Sequence, residues 1–155
     1  MRKKTRIKRH SVAPDTLHNN VAVAKFINYI MKDGKKSIAR SVLYDAFKII
    51  EEKEKQNPLD VFDRALKNVA PTQEVKSKRV GGANYQVPLQ VHGNRRNMLA
   101  MRWLLNSARS QTGKTMSEVL AQELIAASNN EGNAIRKKQD TERMAHANRA
   151  FAHFA

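Results

Sequence analysis

The residues that come nearest to a reactive constellation are Ala108, Gly113, Lys114 and Thr115, spaced as in a phosphate-cradling loop except that alanine holds the first glycine position. Such a loop follows a strand, whereas Ala108 ends a run with helical periodicity, so the segment reads as a capping turn between two helices. Gly34-Lys35-Lys36-Ser37 is a poorer match, with Tyr29 at the first glycine position, and reads as an interhelix turn. His146 and His153 stand seven residues apart and could share a helix face, but no third ligand lies at a metal-binding spacing. Asp60 with Asp63, and Asp140 with Arg143, are ordinary neighbours on a helix surface. No pair offers the positioned acid and base that catalysis needs. The expectation is a chain that is not an enzyme and holds no cofactor or metal.

What these residues can do is neutralise phosphate. Residues 75–117 contain no Asp or Glu, yet they include Lys76, Lys78, Arg79, Arg95, Arg96, Arg102, Arg109 and Lys114. Across the whole chain 29 Lys and Arg stand against 14 Asp and Glu, a formal net charge of +15. Such a surface attracts a polyanion, and counterion release makes the binding fall by roughly 0.7 to 0.9 log units per contact for each tenfold rise in salt. An anionic membrane or an acidic protein is the competing partner, and a protected edge strand is the plainer account of the lysines at 76 and 78. Residues 1–14 form another acid-free stretch and read as a basic N-terminal arm. Their basic start is followed by SVAPDTLHNN rather than by the apolar core of a signal peptide, and no run of about 18 apolar residues occurs. No membrane partner is expected, and a cytoplasmic or organellar location is.

The elements that must position these cations follow from periodicity. With 155 residues, 41% of them hydrophobic, and no cysteine, the chain is expected to form one packed domain over 15–155 without disulfides. Val23, Phe26, Ile27, Ile30 and Met31 recur at helical spacing after Asn20, with Asp33-Gly34 as a stop. A second helix is expected to be capped by Ser37 and to bury Ile38, Val42, Ala46, Ile49 and Ile50. Asn57-Pro58 starts a third, carrying Val61, Phe62, Ala65, Leu66 and Val69.

The period then changes from 3.6 to 2. Tyr85, Val87, Leu89 and Val91 alternate with polar residues and Pro88, and Gly81-Gly82 supplies a turn, so residues from about 73 to 91 read as an edge ribbon. A helix over 94–110 follows, with Leu99, Trp103 and Leu104 toward the core. Another helix carries Met116, Val119, Leu120 and Leu124. After a basic link at Arg136-Lys137-Lys138, a last helix capped by Asp140 or Thr141 is expected to place Met144, Ala147, Phe151 and Phe154 on one side. The fold class is mainly α: a bundle of about six helices with one protruding two-stranded β-ribbon between the third and fourth. Trp103 reads as core, whereas Tyr85, beside the ribbon turn, is a candidate for base or sugar contact.

Four segments carry a resemblance: AKFINYIMKDGKKSIA at 24–39, VAPTQEVKSKRVGGANYQVPLQV at 69–91, RRNMLAMRWLLNSAR at 95–109 and RMAHANRAFAHF at 143–154. In this order they resemble the hallmark segments of the bacterial small-subunit ribosomal protein seven family, and the most specific is 80–88. The resemblance implies a non-enzymatic protein that binds the 3′ major domain of small-subunit rRNA and helps nucleate the head. It implies proximity to exit-site tRNA and mRNA, and contacts with ribosomal proteins nine and eleven. Carried over by residue, the rRNA contacts fall on Arg2, Lys3, Lys4, Arg6, Lys35, Lys36, Lys76, Lys78, Arg79, Arg95, Arg96 and Arg102. The tip nearest tRNA and mRNA is Gly81, Gly82, Ala83, Asn84 and Tyr85. The resemblance further implies that relatives continue past the position of Phe154-Ala155. Two rival functions remain at this level: a DNA-binding regulator using the 94–110 helix, and a nucleotide enzyme built on Gly113-Lys114-Thr115.

Overall fold

A computed structural model describes residues 11–154. Its elements are α1 (Val21–Ile30), α2 (Lys36–Glu54), α3 (Pro58–Val69), β1 (Gln73–Val80), β2 (Ala83–Gln90), α4 (Gly93–Ser110), α5 (Met116–Ser128) and α6 (Asn133–Ala147), with a final 3₁₀ helix at Arg149–Phe154. The expected order of six α-helices with a ribbon between the third and fourth is what the described residues adopt. The basic residues Arg2, Lys3, Lys4 and Arg6 lie outside them.

Local chemistry sets several of the helix starts. Asn20 caps α1, its side-chain oxygen accepting from the N–H of Ala22 at 2.7 Å and of Val23. Asn57 caps α3 with Pro58 at the first helical position, where a missing N–H costs nothing. Thr115 and Glu118 form a reciprocal capping box at α5, so the lysine-bearing turn 113–115 is the interhelix cap that its sequence suggested rather than a phosphate loop.

The core is one continuous cluster with residues from all six α-helices. α5 occupies its middle, packing on α2, α3, α4 and α6. Val119, Leu120, Ala121, Leu124 and Ala127 are all buried, which spreads apolar surface over several faces of that helix, as a central position requires. At one end Phe62 lies 5.3 Å from Phe26 and 5.8 Å from Phe47, ring centroid to centroid, joining α3 to α1 through a tilted contact and to α2 through an edge-to-face one.

Two helices differ from the sequence reading. α2 begins at Lys36 without a side-chain cap, so Ser37 is already inside the helix. Its buried face is Ala39, Leu43, Ala46, Phe47 and Ile50, while Ile38 is 59% exposed and Val42 and Ile49 are half-buried. The helix carries apolar residues on two adjoining stripes, and the one that includes Leu43 and Phe47 turns inward. α6 begins at Asn133, so Arg136, Lys137 and Lys138 are helical and neither Asp140 nor Thr141 is a cap. Thr141 is buried mid-helix, its hydroxyl donating to the Lys137 carbonyl at 2.8 Å. Met144 is 48% exposed, and Phe151 and Phe154 belong to the 3₁₀ helix instead of continuing α6.

The early start of α6 has a cause in α5. The buried Glu123 carboxylate accepts from the Ala134 N–H at 2.9 Å, doing from a neighbouring helix what a local cap would do. Gly132 before it takes φ +92°, and a Cβ there would meet Glu123 Oε1 at 3.1 Å and Ala126 Cβ at 3.2 Å. At the other end, the buried Asp15 carboxylate pins residues 15–20 to α2. Both of its oxygens lie 2.9 Å from the Tyr44 hydroxyl, and one accepts from the N–H groups of Leu17 and His18. Burial pushes the Asp15 carboxyl up, but the bonds from His18, Tyr44 and Leu17 outweigh it and hold the group below the ordinary carboxylate range.

Two outcomes follow. Glu123→Ala should destabilise the fold by roughly 1–3 kcal/mol in urea titration, because it leaves the buried Ala134 N–H without an acceptor. Tyr44→Phe should cost about 1 kcal/mol near neutral pH. A carboxylate with a lowered folded pKa contributes stability above its unfolded pKa and loses it as pH falls through the folded value. The gap between wild type and Tyr44→Phe should therefore close on acidification, and a gap constant into strong acid would show that Asp15 is not the partner that matters.

Candidate nucleic-acid interface

The ribbon is a two-residue hairpin in which Val80 pairs with Ala83 across Gly81-Gly82. Both glycines have positive φ, +57° and +90°, a conformation that side chains disfavour and that matches the twist of the flanking strands. Register puts Lys76 opposite Val87 and Lys78 opposite Tyr85, so the two lysines share a face with the apolar side of β2. Arg79 pairs with Asn84 on the other face, and both are exposed. The ribbon thus displays cations to both sides, Lys76 and Lys78 one way and Arg79 the other.

The face with the lysines rests on α6 and the 3₁₀ helix. The Tyr85 ring lies 5.2 Å from each of Phe151 and Phe154, and Lys78 Nζ donates to the Phe154 carbonyl. Tyr85, a candidate for base contact from its place in the sequence, is half-buried in an aromatic group of the chain itself. Gly81, Gly82, Ala83 and Asn84 form an exposed tip. Trp103 is half-buried and packs on the core, as its neighbours in sequence suggested.

α4 begins at the ribbon's root. Arg95 makes a two-pronged pair with Glu74 of β1, Nη2 to Oε2 at 2.9 Å and Nε to Oε1 at 3.3 Å, while half of its side chain stays exposed. The hydrogen bonds it donates to Glu74 are the main reason its pKa is raised still further, so its charge is permanent. Arg96 turns the other way, half-buried, with Nη2 3.4 Å from the Ala70 carbonyl. Arg102 is exposed. At the far end, Arg109 donates to the Ile30 carbonyl at 3.1 Å, satisfying an orphan acceptor at the C-terminus of α1. That contact brings α4 beside the α1–α2 turn, where Lys32, Lys35 and Arg109 line one hollow and Lys36 is exposed.

Arg95, Arg102 and Arg109 are spaced seven apart, so they fall within about 20° of one line on α4 and span roughly 21 Å. This arginine row links two cation groups that are distant in sequence: Lys76, Lys78 and Arg79 on the ribbon, and Lys35 and Lys36 at the turn. Arg109 belongs to the basic set of the acid-free stretch but not to the rRNA contacts that the family resemblance implies, although its seven-residue spacing from Arg102 groups it with them. Six of the 14 acids, from Asp45 to Asp63, lie on the second half of α2 and the first half of α3. Asp60 stands about 15 Å along α3 from the ribbon end of that helix. Burial first, and the Asp60 carboxylate second, push Asp63 up. Among the described residues no helix is long and apolar enough to cross a membrane, and no three of their His, Cys, Asp and Glu side chains gather as a metal would require.

Comparison with known proteins gives this surface a context. The pattern of the family described as ribosomal protein S7p/S5e matches residues 1–149. Small ribosomal subunit protein uS7 of Moorella thermoacetica is 53% identical over 154 residues, and that of Desulfatibacillum aliphaticivorans 51%, each comparison covering 99% of both chains. The protein of the same name from Thermotoga maritima is 53% identical over 152 residues, 98% of each chain. These relatives do not extend well past the position of Phe154, contrary to the longer C-terminus expected of them. With the pattern matched over nearly the whole sequence and about half of all residues shared, the chain belongs to the ribosomal protein S7p/S5e family.

Proposed function

We propose that this chain is a structural constituent of the small ribosomal subunit that binds the 3′ major domain of its rRNA and helps nucleate the head. The observation that carries the reading is the arginine row on α4, which joins the ribbon cations to those of the α1–α2 turn on a fold of a ribosomal protein family. Folded RNA is recognised chiefly through shape and phosphate placement, and cations held on separate rigid elements suit that task better than a single flexible run. Lys35, Lys36, Lys76, Arg79, Arg95 and Arg102 are assigned to phosphate contact. Lys78 joins them once its bond to the Phe154 carbonyl is exchanged for one to RNA. Arg96, half-buried against the Ala70 carbonyl, acts mainly by fixing the start of α4.

The basic segment 1–14 with Arg2, Lys3, Lys4 and Arg6 is assigned to the same rRNA, and residues 15–155 act with it as one unit. The exposed tip at 81–84 faces exit-site tRNA and mRNA, with Tyr85 behind it. α6 and the 3₁₀ helix offer the surface for ribosomal protein eleven, and ribosomal protein nine is the second protein neighbour. The role is one of binding and positioning, in keeping with a ribosomal protein family and not with catalysis.

The purified chain should bind a 3′ major domain transcript at near-physiological salt, and an unrelated folded RNA or duplex DNA of equal length should displace it poorly. Equal displacement by all three would mean that net charge alone drives binding. Replacing Lys76, Lys78 and Arg79 together with alanine should weaken binding and flatten the log–log salt dependence by roughly 2 to 3, since each lost phosphate contact removes roughly 0.7 to 0.9 of the slope. An unchanged slope would remove the ribbon from the interface.

A further inference from the structure

We propose that the groove between α1 and α4 receives one unpaired RNA nucleotide and reads its base, an assignment that rests on the RNA-binding role above and adds to it a site that is not electrostatic. The groove is an open hollow of about 670 Å³, within the range of small-molecule sites, with Val12 at its border. Its chemistry is divided in a way that suits a nucleotide. Val21, Ala22, Met98 and Met101 give it an apolar lining, Tyr29 adds an aromatic ring, and Lys25 and Arg95 bring one cation from each helix.

Between these lie three carboxamides, Asn28 of α1 and Asn94 and Asn97 of α4. Three other asparagines have structural tasks: Asn20 and Asn57 cap helices, and Asn68 donates to the carbonyls of Ala127 and Ser128. The three in the groove have no side-chain bond to any described residue, and all three line the same hollow. A carboxamide presents a donor and an acceptor side by side, which complements the edge of a base, whereas phosphate offers acceptors only. Methionine and tyrosine surfaces suit the face of an unstacked base and gain nothing from phosphate. The cations select a nucleotide over an apolar peptide. Arg95 is held in place by Glu74 and is also the first member of the arginine row, so the groove opens directly onto the phosphate-binding surface.

The test is the salt dependence of binding by full-length Asn28→Ala/Asn94→Ala/Asn97→Ala. No charge is removed, so the expected result is about tenfold weaker binding to the 3′ major domain transcript with an unchanged salt slope, the size of one lost base contact. Unchanged affinity overturns the proposal, and so does a loss accompanied by a shallower slope, which would make the groove a phosphate site. A second readout needs no variant: the Met98 and Met101 methyl resonances of wild type, titrated with a short single-stranded oligoribonucleotide, should shift. The same oligomer lacking bases should leave them in place. Equal shifts with both, or a shift only with an acidic peptide, overturn the assignment. The two readings fail separately. If wild type does not prefer the transcript while the methyls respond to bases, the ribosomal assignment fails and the groove stands. If wild type discriminates but the triple variant matches it, the groove fails alone.

Discussion

Everything else in this protein depends on the burial of α5. A chain with a formal charge of +15 repels itself, and without cysteine it has no disulfide to oppose that repulsion. Its stability must come from apolar packing, and α5 supplies the centre by presenting Val119, Leu120, Ala121, Leu124 and Ala127 to four surrounding helices. The charge it does bury, Glu123, is tied to the first turn of α6 and so sets where that helix begins. Because the interior accepts no unpaired cation, the lysines and arginines are confined to the outside, where a phosphate backbone can reach them.

Confinement to the outside does not make them equivalent. Some cations hold the fold together: Arg109 closes the end of α1, Arg96 reaches the end of α3, and Lys138 donates to the Asn68 carbonyl at 2.8 Å. Arg95 and Arg109 do both kinds of work: the pair with Glu74 ties the ribbon to α4 while half of the Arg95 side chain faces solvent, and Arg109 stays exposed beyond its bond to Ile30. Others, such as Lys76, Arg79 and Arg102, have no such task among the described residues. The ribbon is steadied in turn by the 3₁₀ helix, through the Tyr85, Phe151 and Phe154 rings. None of the residues in that 3₁₀ helix is fully buried, so this support is a surface contact rather than an extension of the core.

Local interactions were legible in the sequence because they involve residues a few positions apart. The caps at Asn20 and Asn57, the capping turn at 113–115, the Gly81-Gly82 hairpin and the inward face of α3 all follow from side-chain chemistry and period. The acid-free stretch 75–117 signals a polyanion without any knowledge of the fold, and the hallmark segments carry the family resemblance. Tertiary packing decided the rest. Which apolar stripe of α2 faces inward depends on the helices that cover Leu43 and Phe47. Where α6 starts depends on a carboxylate in α5, and the environment of Tyr85 depends on two phenylalanines more than 60 residues away. The link between the α4 arginine row and the α1–α2 turn rests on a contact between Arg109 and Ile30, a pair that no local pattern connects. The sequence by itself determined the elements, the charge and the class of partner, since each is a property of residues near one another in the chain. Only the tertiary structure decided which cations share a surface, because that depends on which buried faces find each other.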